Sequence, residues 1–235
     1  MKALCVDTSS KEIGIALFDG DGKLFEQYTP ALRHYNSVLL PLIRDALEQT
    51  GVEIKDVDVF ASTLGPGSFT GIRVGMAAMK GFSQALDRPF FGLSTLEILA
   101  GNLVASRPGW VMLDAGRGEV YAAYFINSGG LLKKRGGFIL ESLEKFASRV
   151  KKGAYVVYLA AENTGERLYA LNAGARLLKA EHISMIYFYD MMRAGGGFMD
   201  RARLYTAAQV YIRTSEAEVV LKRLKAAGRK SKKNK

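Results

Sequence analysis

The chain has 235 residues, 49% apolar and 24% charged, with a formal net charge of +10. That length allows one large domain or two small ones, each able to bury a core. The longest apolar runs fall far short of the roughly 20 residues a membrane-spanning helix needs.

A single cysteine, Cys5, excludes an internal disulfide framework. The N-terminal run Met1-Lys2-Ala3-Leu4-Cys5-Val6-Asp7 carries an acid inside its apolar stretch. It reads as a strand and not as a signal peptide, so a reducing cytoplasm is expected. The positive charge is concentrated. Lys222, Arg223, Lys225, Arg229, Lys230, Lys232, Lys233 and Lys235 fall in the last fourteen residues with no acid among them, so the body is nearly neutral. Such a tail attracts phosphate backbones without reading sequence, or is simply a solvated end. It has no aromatic residue on which a base could stack.

Residues 2–7, 12–18 and 23–29 read as three consecutive strands, with turn chemistry at Asp7-Thr8-Ser9-Ser10 and a hairpin signal at Asp19-Gly20-Asp21-Gly22. A helix is predicted over about 36–50, with Pro41 marking a kink or a true start. Next come a strand over 57–63, a Gly-rich loop, a helix over about 70–86 and a strand over 89–93. A helix over 94–105 follows, capped by Ser94 or Thr95 with Glu97 close behind. A second cycle opens with strands at 110–114 and 119–125 and a third after the turn at 129–130. It continues with helices near 141–151 and 164–172 around a strand at 154–160. Residues 183–193 fit either strand or helix, 194–197 is a Gly-rich break, and a last helix is expected over about 214–227. Residues 1–29 and 110–140 share one order of elements, with Asp7 and Asp114 each ending a first strand. That weak duplication points to two similar α/β lobes.

The loop Gly65-Pro66-Gly67-Ser68-Phe69-Thr70-Gly71 stands between a strand and a helix. Its glycines permit positive φ or close backbone approach, and Ser68 or Thr70 can cap the helix, leaving N–H groups that favour an anion. No Gly-Lys-Ser/Thr follows, so it is not a Walker loop. The alternative is a tight capped connection without a ligand. Gly71, Gly75 and Ala78 recur at helical spacing, with Ala77 and Gly81 nearby. A helix that accepts glycines at about 1 kcal/mol each has another backbone packed close to it, either its own sheet or another subunit. Asp7 and Asp114 could hold a hydrated metal near phosphates or merely close Asx-turns. His34 and His182 are the only histidines, without a His-x-x-x-His, a Cys/His cluster or a Gly-x-Ser-x-Gly elbow. Glu119 beside Arg117 reads as a hairpin charge pair.

The run Gly65-Pro66-Gly67-Ser68-Phe69-Thr70-Gly71-Ile72-Arg73-Val74-Gly75, with Val6-Asp7-Thr8-Ser9, resembles the TsaB (YeaZ) family. Arg33-His34 with Leu39-Leu40-Pro41-Leu42-Ile43, Leu113-Asp114-Ala115 with Arg117-Gly118-Glu119-Val120-Tyr121, and Tyr211-Ile212-Arg213 are similar to further parts of it. The stretch 127–205 matches poorly. The resemblance implies an α/β, actin-like (ASKHA, ribonuclease H-like) duplicated fold of two lobes with mixed sheets flanked by helices. The lobes would span 1–106 and 107–213, followed by a helix at 214–228 and a basic tail at 229–235.

The same resemblance implies a non-catalytic accessory role in forming N6-threonylcarbamoyladenosine at tRNA position 37. The chain would pair with the transferase TsaD and with the ATPase TsaE, and would form homodimers without TsaD. It would have no cofactor of its own, with ATP or ADP and magnesium placed at the complex interface. Contact with tRNA would be indirect, or through the basic tail. The partner face would use Leu39, Leu42, Ile43, Ala46, Gly71, Val74, Gly75 and Ala78. Asp7, Thr8, Ser9, Ser68 and Thr70 would lie nearest any nucleotide or anion. The competing readings are an actin-like kinase using Asp7 and Asp114 around a magnesium nucleotide, and a protease.

Overall fold

In a computed structural model, residues 1–31, 35–103, 107–128, 131–159 and 163–195 are described. The expected last helix, the basic tail, Arg33-His34 and Tyr211-Ile212-Arg213 lie outside the described residues.

The first half builds a five-stranded sheet from β1 (Lys2–Asp7), β2 (Glu12–Asp19), β3 (Gly22–Pro30), β4 (Val59–Thr63) and β5 (Phe90–Leu93). Its order is β3-β2-β1-β4-β5, with β1, β2 and β3 antiparallel neighbours and β1, β4 and β5 parallel ones. The second half repeats this with β6 (Gly109–Gly116), β7 (Glu119–Ser128), β8 (Leu131–Ser142), β9 (Tyr155–Leu159) and β10 (Arg176–Lys179), in the order β8-β7-β6-β9-β10. The directions repeat as well: two antiparallel joins, then two parallel ones. Asp7 therefore ends β1, and Asp114 lies near the end of β6, at equivalent places in the two sheets.

Period-two alternation sorts the side chains of β1 onto two faces. Leu4 and Val6 meet the helices α1 (Tyr35–Thr50) and α2 (Phe69–Leu86) in one core, through Leu39, Ile43, Ile72 and Met79. Ala3 and Cys5 face a second core shared with the other sheet, which holds Val111, Leu113, Phe125 and Val157. Between the sheets lie α3 (Thr95–Leu99) and α6 (Met185–Gly195). The outer face of the second sheet is covered by α4 (Leu143–Arg149) and α5 (Thr164–Leu171). Among the described residues no helix is long and apolar enough to cross a membrane.

Two elements depart from the sequence reading, and a third that it left open is settled. The helix expected over 94–105 keeps its start, where Ser94 and Glu97 form a reciprocal capping box. It ends after Leu99 in a 3₁₀ turn at Ala100–Asn102, where Gly101 sits under the Tyr187 ring. The stretch 183–193 resolves as α6, because Met185, Phe188, Tyr189 and Met192 bury themselves at helical spacing. The short edge strand β10 was not expected; with Arg176 and Lys179 exposed at its ends, it carries no alternating apolar signal. Pro41 is accommodated inside α1.

Candidate functional site

The loop at 65–68 is held on both sides by backbone hydrogen bonds. The Ser68 N–H donates to the Ser9 carbonyl at 2.7 Å, and the Thr95 N–H donates to the Gly65 carbonyl at 2.9 Å. Gly65 has φ +92° and Gly67 φ +151°. A β-carbon on Gly67 would stand 2.1 Å from the Ser9 carbonyl oxygen, so only glycine lets the two backbones approach this closely. Ser68, rather than Thr70, is the N-cap of α2; its hydroxyl accepts from the Gly71 N–H at 3.2 Å.

Under this loop lies the turn after β1. The Asp7 carboxylate accepts from the Ser9 N–H at 2.9 Å and from the Ser9 hydroxyl at 2.6 Å. Asp7, Thr8 and Ser9 are 1%, 0% and 2% exposed. Burial pushes the Asp7 carboxyl above the usual carboxylate range, against the hydrogen bonds from Ser9. Thr8 is buried with its hydroxyl unpartnered. The structure thus gathers Asp7, Thr8, Ser9 and Ser68 as the sequence suggested, but seals the first three beneath the loop. A magnesium nucleotide does not fit against them in this chain, since all three are closed to solvent and the Asp7 carboxylate is turned onto Ser9. Thr70 alone of the five is exposed.

Asp114 is half-buried; it accepts from the Gly116 N–H at 2.6 Å and from the Thr164 hydroxyl at 3.5 Å. Gly116, Arg117 and Gly118 all have positive φ, so this carboxylate closes a tight hairpin turn. No group of three or more His, Cys, Asp and Glu converges among the described residues. His182 is stacked on Tyr28, ring centroids 4.1 Å apart, and its Nδ1 lies 2.5 Å from Glu12. Burial pushes the Cys5 thiol up, away from thiolate chemistry.

The residues expected at a partner face divide into two sets. Gly71 and Gly75 are buried against this chain's own turn: a β-carbon on Gly71 would stand 2.0 Å from the Thr8 carbonyl oxygen, and one on Gly75 2.3 Å from the Thr8 hydroxyl. Leu39, Ile43 and Ala46 are at most 2% exposed in the core beneath α1. These five pack inside the chain, which corrects their placement at a surface. Leu42, Val74 and Ala78 are half-buried on the flanks of α1 and α2.

The outward face of the two helices carries other residues: Leu40 at 51% exposure, Pro41, Arg73, Ala77 and Gly81. Around Gly81 a β-carbon would meet nothing within 4 Å. The i, i+4 pair Ala77 and Gly81 therefore leaves a small-residue surface on the exposed side of α2. The spacing of Gly71 and Gly75 in the sequence showed a close-packed face but not which side of the helix it was. That side follows from the apolar residues Ile72, Met76 and Met79, which turn with it into the core.

Two five-stranded sheets of the same order and direction, each with an aspartate at the end of its first strand, define a duplicated actin-like (ribonuclease H-like) α/β protein, as the sequence implied. A profile of the family described as "TsaD: tRNA N6-adenosine threonylcarbamoyltransferase" matches residues 29–185. A TsaB of Buchnera aphidicola subsp. Baizongia pistaciae is 31% identical over 163 residues, 65% of this chain and 73% of that one. The chain belongs to this family, in its TsaB (YeaZ) branch. TsaB of Escherichia coli is 31% identical over 128 residues, 53% of this chain. That of Bacillus subtilis is 31% identical over 140, or 57%. The chain spans only 55% and 59% of the length of those two relatives. A crystal structure from Pseudomonas aeruginosa, of a protein described as similar to the peptidase YeaZ, has a TM-score of 0.72 at 26% identity, over 90% of this chain and 99% of that one.

Proposed function

We propose that this chain is a non-catalytic accessory subunit in the formation of N6-threonylcarbamoyladenosine on tRNA, and that it acts by pairing with the transferase TsaD. The observation that carries this reading is the sealed turn at Asp7–Ser9. There the carboxylate that ends β1 is buried and turned onto Ser9, while the loop at 65–71 packs against the Thr8 and Ser9 carbonyls. Relatives named for threonylcarbamoyladenosine biosynthesis supply the pathway.

The docking face in this reading is the outer side of α1 and α2. Leu40, Pro41, Ala77 and Gly81 form its centre, and Leu42, Val74 and Ala78 its edges. A partner helix can approach closely at Ala77 and Gly81. The same face accounts for a homodimer when TsaD is absent, and TsaE joins the pair. The reading assigns no nucleotide to the Asp7–Ser9 turn.

The test is whether the full chain restores tRNA threonylcarbamoylation in a bacterial strain depleted of its own TsaB, and whether Asp7→Asn restores it equally. Restoration by both is expected. Restoration by the wild type but not by Asp7→Asn, with that variant folded, would assign Asp7 a catalytic role and overturn the non-catalytic part.

A further inference from the structure

At the N-terminal ends of β6, β9 and β10, three segments bring cations together around one aromatic ring. Arg176 donates to the Tyr155 hydroxyl at 2.8 Å, and Arg107 donates to it at 3.4 Å. The two guanidinium carbons lie 5.3 Å and 5.8 Å from the centre of the Tyr155 ring, within cation–π range. Both arginines are exposed and Tyr155 is half-buried. Arg176 stands opposite Tyr155 in the β9–β10 register, and Gly109, two residues after Arg107, stands opposite it on the other side.

The loop before β9 adds Lys151 and Lys152, both exposed, and ties them to the same place. The Gly153 N–H donates to the Gly174 carbonyl, and the Lys152 stem packs where a β-carbon on Gly174 would stand. None of the contributing segments, 107–113, 145–161 and 167–180, contains an acidic residue. Among the described residues no carboxylate pairs with Arg107, Arg176, Lys151 or Lys152. By contrast, Arg149, Arg167 and Arg193 each hold one. The hydrogen bond from Arg176, helped by the charges of both arginines, holds the Tyr155 hydroxyl below its usual range.

We infer that this edge of the second sheet is an RNA-binding surface, at which Arg107, Arg176, Lys151 and Lys152 meet backbone phosphates. The guanidinium planes and the Tyr155 rim give an unstacked base a surface to lie on. Four cations with no carboxylate partner among the described residues neutralise phosphates by releasing their counterions, and guanidiniums held over an aromatic ring suit both the phosphate fork and stacking. A purely solvating patch has no need for two arginines converging on one hydroxyl. The inference rests on the proposed role in tRNA modification, because it gives this chain a direct hold on the RNA.

The experiment uses the full chain with an unmodified, end-labelled tRNA transcript, and measures affinity between 50 and 300 mM salt. Arg107→Ala with Arg176→Ala is compared with Lys23→Ala with Lys55→Ala, which removes the same charge from residues already paired to Glu26 and Glu53. The arginine pair should weaken binding roughly tenfold at 0.1 M salt and lower the salt slope by about 2, while the lysine pair changes neither. Undetectable binding by the wild type, or an unchanged slope in the arginine variant, overturns the inference. So does displacement of the RNA by inorganic phosphate at constant ionic strength, which would give the site to a free anion. Complementation by the wild-type chain is scored separately. Its failure sinks the tRNA-modification reading, whereas success with an unchanged salt slope sinks only the RNA surface.

Discussion

Gly71 of α2 lies so close to Thr8 that a β-carbon at position 71 would stand 2.0 Å from the Thr8 carbonyl oxygen. This contact joins α2 to the turn that carries Asp7. It explains why a helix with three glycines is stable: two of them admit a backbone and its hydroxyl, and the packing offsets their poor propensity.

The three glycines should therefore respond differently to the same change. Gly71→Ala forces the backbone at Thr8 away from α2 and Gly75→Ala displaces the Thr8 hydroxyl, at about 1–3 kcal/mol each. Gly81→Ala meets nothing, and should stabilise by about 0.5–1 kcal/mol through helix propensity. Urea denaturation of the three variants checks the order.

Asp7 sets a pH dependence of its own. Burial raises its folded pKa above the unfolded value near about 3.9. Its contribution is then most favourable below that unfolded value and declines as pH rises through the folded one. Asp7→Asn keeps an oxygen to accept both Ser9 bonds and removes this decline. Thermal melts from pH 4 to 8 should show the variant gaining on the wild type as pH rises.

Glu141 acts in the opposite sense. It is 7% exposed and is held by Arg149 through two hydrogen bonds, of 2.7 and 2.9 Å. These hold its carboxyl below the usual carboxylate range, so its stability is present above the unfolded pKa and is lost as pH falls through the folded one. Arg149→Ala should cost about 1–2 kcal/mol at pH 7, and the difference from wild type should shrink in acid. Chemical denaturation at pH 7 and pH 3.5 measures both.

Tyr189 of α6 stacks on Phe18 of the first sheet, centroids 4.2 Å apart, and donates to the Gly20 carbonyl at 2.6 Å. Tyr189→Phe should lose about 1 kcal/mol with the hydrogen bond, and Tyr189→Ala about 3–5 with the ring. Equal small losses in equilibrium unfolding would mean that α6 is not an integral part of this core.

What the sequence made legible was local. The hairpins at Asp19–Gly22 and Gly116–Gly118, the capping box at Ser94 and the repeated aspartates are short-range signals, and from them the duplicated fold follows. The return of α6 to the first sheet is a long-range event. Tyr187, Phe188 and Tyr189 have strand propensity, and their helical state depends on a core built by β1 and β2. The side of α2 that faces the core is legible from Ile72, Met76 and Met79, but what the glycines touch there is not. Gly71 and Gly75 announce a close neighbour, but only the packed turn shows that the neighbour is Thr8. Arg107, Tyr155 and Arg176 are far apart in sequence, and are joined by strand register alone.

The central claim is that this chain acts by docking a partner on the outer face of α1 and α2, and Gly81→Trp tests it most directly. Gly81 is exposed on α2 and open to added volume, so the fold should be kept, as circular dichroism would show. Titration calorimetry with purified TsaD should give a measurable affinity for the wild-type chain and at least about a tenfold loss for the variant. Undiminished affinity for TsaD in a folded Gly81→Trp chain would contradict the account.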